Sequence, residues 1–138
     1  MNRKFSTSDC IFNLLVQTAK TGTHHWKNTI SDLGVTAVQA KVLALLCETG
    51  AVSASDLGSA ACIDNATMTG ILDRLQALGI VTRHHNPNDR RAIIISLTEP
   101  GKELATEIYS RVEPANKKFL ENLSEAEVLL LKELLRRL

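Results

Sequence analysis

The sequence lacks the features that mark secreted and membrane-bound chains. It contains three cysteines, an odd number, and its first residues, MNRKFSTSD, do not form a signal peptide. It also has no apolar run long enough to span a bilayer. We therefore expect a cytoplasmic protein without membrane contact. A single domain of 138 residues can bury about 68% of its unfolded surface, so the chain needs no disulfide for stability.

Catalytic and metal-binding motifs are also missing. We find no glycine-rich phosphate loop, no nucleophile elbow and no pair of acidic residues whose positions suggest a shared cleft. The sequence therefore predicts neither an enzyme nor a cofactor. The histidine pairs at 24–25 and 84–85 lack the spacing that converges on one metal ion, so no metal site is predicted.

Charge is nearly balanced over the whole chain, with 16 Lys and Arg residues against 15 Asp and Glu residues. This balance argues against a non-specific binder of polyanions. The segment from Arg83 to Arg91 is different, because its three arginines and two histidines are accompanied by one acidic residue, Asp89. A locally basic segment on a neutral chain favours selective binding, in which a few placed contacts matter more than bulk attraction.

The basic segment has the pattern of a β-hairpin. Residues 81–84 and 92–97 are runs rich in β-branched and apolar side chains, and the Asn-Pro-Asn-Asp sequence at 86–89 is rich in turn formers. Arg90 and Arg91 leave this turn together. Their planar guanidinium groups suit phosphate oxygens or base edges, whereas the alternative is a solvated hairpin without a partner.

A helix with an unusual outer face is predicted before the hairpin. Asp64 or Asn65 can cap it, and Gly79 stops it after about Leu78. Its apolar side chains are expected in the core, namely Met68, Ile71, Leu72, Leu75 and Leu78. The opposite face carries small or short side chains, with Ala66, Thr69, Gly70 and Asp73 flanked by Thr67 and Arg74. Such a face indicates close approach to another surface, of which a DNA major groove is one.

Two further helices are predicted upstream. Ser53 and Asp56 have the spacing of a capping box for a short helix that ends near Ala61. Thr36 can cap an earlier helix that ends at Gly50 and buries Val38, Val42, Leu45 and Leu46. Residues 51 and 52 allow only a very short third strand. The order of helix, turn, helix and hairpin predicts a helix-turn-helix followed by a β wing.

Residues 35–101 resemble the MarR family of winged-helix transcriptional regulators. The resemblance lies in DNATMTGILDRLQALGIVTR, then NPNDRR, then LTEPG. Its most specific part is Asp89-x-Arg91 followed by Leu97-Thr98-x-x-Gly101. The resemblance implies that Arg91 enters the minor groove and that Asp89 pairs with it and holds its orientation. Many relatives carry a basic residue where this chain has Gly70, so the recognition of bases by this position of the helix departs from the family pattern.

The predicted DNA contacts combine this resemblance with the helix pattern. We expect Asn65, Ala66, Thr67 and Thr69 to face base edges of double-stranded DNA. Arg74 and Arg83 are expected to contact phosphates, which fix the register without reading the sequence. The wing is expected to contribute Asp89, Arg90 and Arg91.

Both ends of the chain are predicted to be apolar helices. Residues 6–9 have the pattern of a capping box, and the helix that they open is expected to reach about Ile30 with one buried face. Thr98 can cap another long helix, which Pro114 should kink or locally open. Ser124 can cap a leucine-rich helix at the end of the chain. These helices most simply bury each other across a two-fold axis.

We therefore predict a mainly α fold with a small β-hairpin. Residues 36–98 are expected to form the winged-helix DNA-binding lobe, and residues 1–35 and 99–138 a helical dimerisation lobe. The predicted function is a ligand-responsive transcriptional repressor that binds, as a homodimer, an operator with half-sites about 10 base pairs apart. The alternatives are a winged-helix protein-protein adaptor without DNA binding and a cysteine redox-sensing regulator.

Three residues are candidates for a switch. His25 and Trp26 lie on the predicted buried face of the first helix, where they are either ordinary core or the wall of a pocket for a small aromatic or phenolic effector. Cys10 lies near the start of this helix, where some relatives of the MarR family carry a redox cysteine. Cys47 and Cys62 are expected to be buried small hydrophobes.

Overall fold

The computed structural model describes residues 6–138, and within this range it contains six α-helices and one three-stranded sheet. In chain order the elements are a 3-10 turn (Thr7–Asp9), α1 (Ile11–Thr29), α2 (Ala37–Thr49), β1 (Val52–Ser53), α3 (Ala54–Ala61), α4 (Asn65–Ala77), β2 (Val81–Asn86), β3 (Asp89–Leu97), α5 (Glu99–Phe119) and α6 (Glu125–Arg137). The strands are antiparallel in the order β1-β3-β2. The predicted fold class is confirmed.

The chain divides into two compact units. We call residues 30–111 the winged-helix unit; it contains α2, α3, α4, the sheet and the first part of α5. We call residues 6–29 together with 112–138 the helical unit; it contains α1, the last part of α5 and α6. No helix among residues 6–138 is long and apolar enough to cross a membrane.

Side-chain caps begin four of the helices as predicted. Thr36 caps α2 and Ser124 caps α6, each in a reciprocal capping box. Ser53 caps α3 and Asp64 caps α4. These predictions are confirmed because a cap depends only on a side chain and on backbone amides two or three positions away.

The first helix begins later than predicted. Ser6 accepts a hydrogen bond from the amide of Ser8, and Thr7–Asp9 forms one 3-10 turn. Cys10 has extended backbone, so α1 begins only at Ile11. The prediction that the capping box of residues 6–9 opens the long helix was wrong, because Ser6 caps this separate 3-10 turn instead.

The core of the winged-helix unit combines one side of each helix with the sheet. Its largest fully buried side chains are Ile30, Val42, Leu43, Leu46, Leu57, Met68, Leu72, Leu75, Val81, Ile95 and Ile108. Two residues predicted in this core are exposed instead, Val38 by 44% and Leu78 by 62%. Val38 lies in the first turn of α2, and Leu78 lies at the end of α4. Both positions continue the apolar pattern of their helix, but neither is covered by a neighbouring element.

The burial of the cysteines was predicted only in part. Cys10 and Cys47 are half-buried, and Cys62 is exposed. The expectation that Cys62 is buried was therefore wrong. Cys62 ends α3 with left-handed backbone at a φ of 55°, which turns the chain sharply between α3 and α4.

Thr98 and Gly101 join the start of α5 to the segment between α4 and β2. The Thr98 hydroxyl lies 2.6 Å from the carbonyl oxygen of Gly79 and 3.1 Å from that of Ile80, and it accepts a hydrogen bond from the Gly101 amide at 3.1 Å. Gly101 is buried, and a Cβ atom at this position would lie 1.9 Å from the carbonyl oxygen of Ile80. The Thr-x-x-Gly spacing therefore has a packing reason, since only glycine permits this approach.

The helical unit exposes its apolar side chains in a single chain. Within the described residues, α1 and α6 contain no buried residue, although a buried face was predicted for α1. The exposed large apolar side chains of this unit are Ile11, Phe12, Leu14, Leu15, Val16, Leu123, Leu129, Leu130, Leu134, Leu135 and Leu138.

Helix α5 continues through Pro114 as one α-helix, so the predicted local opening is absent from this described segment. Pro114 is exposed, and solvent can satisfy the carbonyl that loses its partner.

Candidate nucleic-acid interface

Helix α4 presents the small outer face that the sequence predicts. Its exposed residues include the four predicted base contacts and the adjacent glycine, that is, Asn65, Ala66, Thr67, Thr69 and Gly70. The opposite face is held in the core by Met68, Ile71, Leu72 and Leu75. The orientation of the helix therefore leaves every predicted base contact accessible.

Hydrogen bonds inside α4 determine what its threonines can offer a ligand. The carboxylate of Asp64 accepts from the Thr67 amide at 2.9 Å and from the Thr67 hydroxyl at 2.6 Å, and the hydroxyl bond is the largest cause of a lowered pKa of Asp64. The Thr69 hydroxyl donates to the carbonyl of Asn65 at 2.8 Å. Both hydroxyl protons are therefore used within the helix. Outward, each threonine presents acceptor lone pairs and a methyl group, which suit base amino groups and the thymine methyl.

Gly70 has no packing reason to be glycine. A Cβ atom at this position would meet no atom within 4 Å. Glycine inside a helix costs about 0.5–1 kcal/mol relative to alanine. This destabilising glycine lies on the exposed outer face of α4, next to the predicted base contact Thr69.

The wing is longer than predicted. Its strands pair as far as Asn86 with Asp89, so the strand bounds predicted at 81–84 and 92–97 were too short. Only Pro87 and Asn88 lie between the strands, and the Asn86 side chain accepts a hydrogen bond from the Asn88 amide at 2.9 Å. This side-chain bond closes the turn early and lets the strands continue. Arg90 is exposed just beyond it.

Asp89 contacts Arg91 through the backbone. Asp89 Oδ1 accepts a hydrogen bond from the Arg91 amide at 3.0 Å. Within the described part of the chain, the guanidinium of Arg91 forms no ion pair with Asp89, and the Arg91 side chain is exposed. The orienting role implied for Asp89 stays a prediction. The hydrogen bond that Asp89 forms constrains the backbone at Arg91, and so it could act on the direction of the Arg91 side chain only indirectly.

Arg83 connects β2 with α4. Its Nη1 atom lies 2.5 Å from Asp73 Oδ1 and 3.2 Å from Gln76 Oε1, and its Nη2 atom lies 3.2 Å from the carbonyl oxygen of Thr69. The side chain is 25% exposed. The phosphate contact expected for Arg83 stays a prediction. Arg74, the other residue expected at a phosphate, is exposed on α4.

Comparison with known proteins assigns the chain to a family. Residues 35–93 match the MarR family. The transcriptional regulator FarR of Neisseria gonorrhoeae is 33% identical over 124 residues, which cover 90% of this chain and 85% of that protein. The chain belongs to the MarR family of transcriptional regulators. The resemblance stated from the wing and helix motifs is thereby confirmed.

Solved structures support the same assignment. BpsR of Bordetella bronchiseptica, whose DNA binding is regulated by 6-hydroxynicotinic acid, aligns with a TM-score of 0.88 and 31% identity over 97% of this chain and 96% of that one. A cysteine-to-serine variant of MarR from Escherichia coli in complex with operator DNA aligns with a TM-score of 0.85 and 27% identity, over 92% and 91%. The comparisons give no support to the protein-protein adaptor or the redox sensor.

The predicted effector residues of this MarR-family chain both lie in α1. His25 is half-buried, with Nε2 3.0 Å from the carbonyl oxygen of Ala115 and its ring 5.4 Å from that of Phe119. Trp26 is also half-buried. The contacts of His25 already account for its position by packing within the helical unit, so an effector role for it and Trp26 stays a prediction. Among residues 6–138, no three His, Cys, Asp or Glu side chains are grouped as a metal ion would require.

The partners of Arg83 were missed from the sequence. Asp73 was identified only as part of the outer face, and Gln76 was not singled out. A signal was present, because Asp73 is the single acidic residue of an otherwise small, uncharged face. Which cation it meets depends on how β2 returns along α4, and no local pattern encodes that path.

Proposed function

We propose that this MarR-family regulator binds a two-fold operator as a homodimer, with α4 in the major groove and the wing in the flanking minor groove. The observation that carries the proposal is the outer face of α4, which is exposed, small and nearly uncharged while the opposite face is buried. A solvated helix gains propensity and solubility from Glu, Lys or Gln on that face. None of the three occurs between Asn65 and Asp73, and this absence, with Gly70 in the middle of the face, favours close contact with bases.

The base contacts follow from the hydrogen bonds within α4. Asn65 can donate and accept at a base edge, and Ala66 can pack against a thymine methyl group. Thr67 and Thr69 offer acceptor oxygens, so each would pair with a base amino group. Arg74 and Arg90 would add phosphate contacts, and Arg91 would enter the minor groove.

The exposed apolar side chains of the helical unit support the homodimer. A single chain leaves Phe12 76% exposed and Leu129 69% exposed, and the neighbouring leucines are similarly uncovered. Helices α1 and α6 each expose several large apolar side chains, and monomeric proteins rarely leave large apolar surfaces in water. A second copy related by a two-fold axis would cover both patches at once and would place two α4 helices on one operator.

A small aromatic or phenolic effector would control the DNA affinity. The regulation of BpsR by 6-hydroxynicotinic acid, an aromatic acid, supports this class of ligand. An effector can shift the population of binding-competent dimers only by its differential affinity for the two states. With His25 and Trp26 in the pocket, the fluorescence of Trp26 should change with the same ligands that release DNA. Ligands that release DNA without affecting Trp26 would place the pocket elsewhere. A cytoplasmic location and the absence of catalysis complete the proposal.

The wing provides the sharpest test. The operator is first identified by sequencing the DNA fragments that the purified protein retains, and variants are then titrated against operator and scrambled duplex at several salt concentrations. Arg91→Ala should cost roughly 1–3 kcal/mol of operator binding and narrow the preference for the operator. Arg90→Ala, the matched control, should weaken binding to both duplexes alike.

Asp89→Ala separates orientation from charge. Removal of an acidic residue beside DNA improves affinity if charge alone matters, whereas loss of the hydrogen bond to the Arg91 amide disturbs the arginine and lowers operator binding. We expect the second result. Stronger operator binding by Asp89→Ala would show that the wing is only a basic tip.

A further inference from the structure

Arg83 lies in β2 at the base of the wing, where β3 pairs with both β1 and β2. It pairs across the sheet with Ile95, which is fully buried in β3. The guanidinium leaves the sheet and reaches Thr69, Asp73 and Gln76 of α4. These positions are four and three residues apart, so they form one ridge over two helical turns. One side chain from β2 therefore contacts two turns of the recognition helix.

The three acceptors make this contact directional. The carboxylate and the side-chain amide oxygen both accept from Nη1, and the carbonyl of Thr69 accepts from Nη2. A planar guanidinium with acceptors on two nitrogens fixes an angle, which a lysine ammonium does not. The Thr69 contact is made to the backbone of a residue that the proposed function places on a base.

The same contacts argue against a phosphate ligand. Asp73 is 58% exposed and lies against the guanidinium, so a phosphate that approached Arg83 would also meet the carboxylate. Arg74 is the next residue along α4 and is exposed. The two arginines therefore differ in kind: Arg74 is available to a phosphate, and Arg83 is already engaged within the protein.

The wing amplifies any change of angle at its base. Arg91 lies four residues along β3 from Ile95, which is roughly 13 Å in an extended strand. A rotation of about 10° at the base would move Arg91 by roughly 2 Å over that length. A shift of this size breaks a hydrogen bond to a base edge.

We propose that Arg83 is a positioning residue that sets the angle between the wing and α4, so that the base contacts of α4 and the minor-groove contact of Arg91 are made in one register. This inference rests on the proposed function. It replaces the phosphate contact expected from the sequence with a role in specificity.

Arg83→Lys and Arg111→Lys form a matched pair, since each keeps the charge and loses a planar fork that pairs with a carboxylate of the winged-helix unit. Arg111 lies outside the proposed DNA contacts, and its side chain is 26% exposed against 25% for Arg83. Binding to operator and scrambled duplex is titrated at several salt concentrations, and thermal unfolding checks that both variants fold. Arg83→Lys should lose roughly tenfold in operator affinity, the size of one base contact, with scrambled DNA and the salt slope unchanged. Arg111→Lys should leave binding to both duplexes unchanged. Parent-like operator binding by Arg83→Lys would overturn the inference.

Asp73→Asn is a second variant, for which a phosphate contact by Arg83 and a positioning role of Arg83 predict opposite results. If Arg83 contacts phosphate, removal of the competing carboxylate strengthens binding to both duplexes. If Arg83 positions the wing, the operator preference falls while scrambled DNA binds as well or better. Combination with Arg91→Ala gives the deciding readout, because a positioning effect that acts through the wing shrinks in that background. Equal effects of Asp73→Asn with and without Arg91 would contradict the proposal.

The two failures remain distinguishable. If the parent protein prefers no DNA fragment over scrambled duplex, the proposed function fails. If the parent prefers its operator and Arg83→Lys retains that preference, only the positioning role fails.

Discussion

The two units of this chain bury their apolar side chains to very different extents. Among the described residues, every buried apolar side chain except Ala115 belongs to the winged-helix unit of residues 30–111. The exposed large apolar side chains show the reverse distribution, because all but Val38, Leu78 and Tyr109 belong to the helical unit. The winged-helix unit therefore forms a complete core within one chain. In the helical unit, most of the large apolar side chains stay exposed in a single chain.

The difference follows from how the elements can pack. Three helices and a sheet enclose a volume, so each element of the winged-helix unit finds a partner for its apolar side. The helical unit has only α1, the last part of α5 and α6. At about 25 cal/mol per Å² of apolar surface, leaving these side chains in water forgoes a large stabilisation. The comparison predicts that stability within the winged-helix unit is intrinsic, while that of the helical unit depends on association.

The largest effect is expected from Gly101→Ala, which tests whether the winged-helix unit is closely packed. The added Cβ would lie 1.9 Å from the carbonyl oxygen of Ile80, so α5 must move away from the segment before β2. We expect a loss of at least about 3 kcal/mol in the free energy of unfolding, measured by urea denaturation. Gly70→Ala is the control, because its Cβ meets no atom within 4 Å, and it should gain about 0.5–1 kcal/mol. Similar midpoints for the two variants would contradict this account of the packing.

Truncation after Asn122 tests whether the helical unit depends on association. The shortened chain loses α6 and its leucines, and the face of α1 that carries Ile11 and Leu14 stays exposed. We expect aggregation, or unfolding confined to the helical unit, measured by sedimentation and circular dichroism. A fragment of residues 30–111 should instead remain soluble, folded and monomeric. A folded, soluble monomer after truncation at Asn122 would end the argument for an obligate dimer.

The concentration dependence of unfolding gives a smaller effect in the unmodified protein. An obligate dimer is stabilised by mass action, so its thermal midpoint should rise by about 2–4 °C for each tenfold increase in protein concentration. The 30–111 fragment serves as the control and should unfold at the same temperature at every concentration. A full-length midpoint that does not change with concentration would remove the distinction between the units.

The smallest effect is expected at Cys62, whose left-handed backbone lies in the winged-helix unit. Cys62→Gly relieves a conformational cost of about 1 kcal/mol, whereas Cys62→Ala retains it. We expect a gain of roughly 0.5–1 kcal/mol for the glycine variant over the alanine variant, measured by urea denaturation. The same difference should appear in the 30–111 fragment. A difference seen only in the full-length chain would mean that Cys62 is coupled to the helical unit.

The sequence by itself determined the elements that depend on neighbours three or four positions away. The caps at Thr36, Ser53 and Ser124 and the small outer face of α4 could be predicted because both partners of each contact lie within one or two helical turns. The order of these elements and the wing motif were sufficient to predict the winged helix-turn-helix, and the family assignment agrees.

Only the tertiary structure decided how separate elements meet. Asp73 and Arg83 belong to a helix and a strand, and their ion pair depends on the path of the chain between them. Gly101 must be glycine because α5 passes directly beside Ile80, and the exposure of Val38 and Leu78 depends on where neighbouring elements end. A periodic pattern specifies which side of a helix is apolar. Whether that side is covered, and by which element, is determined by packing between segments that are distant in sequence.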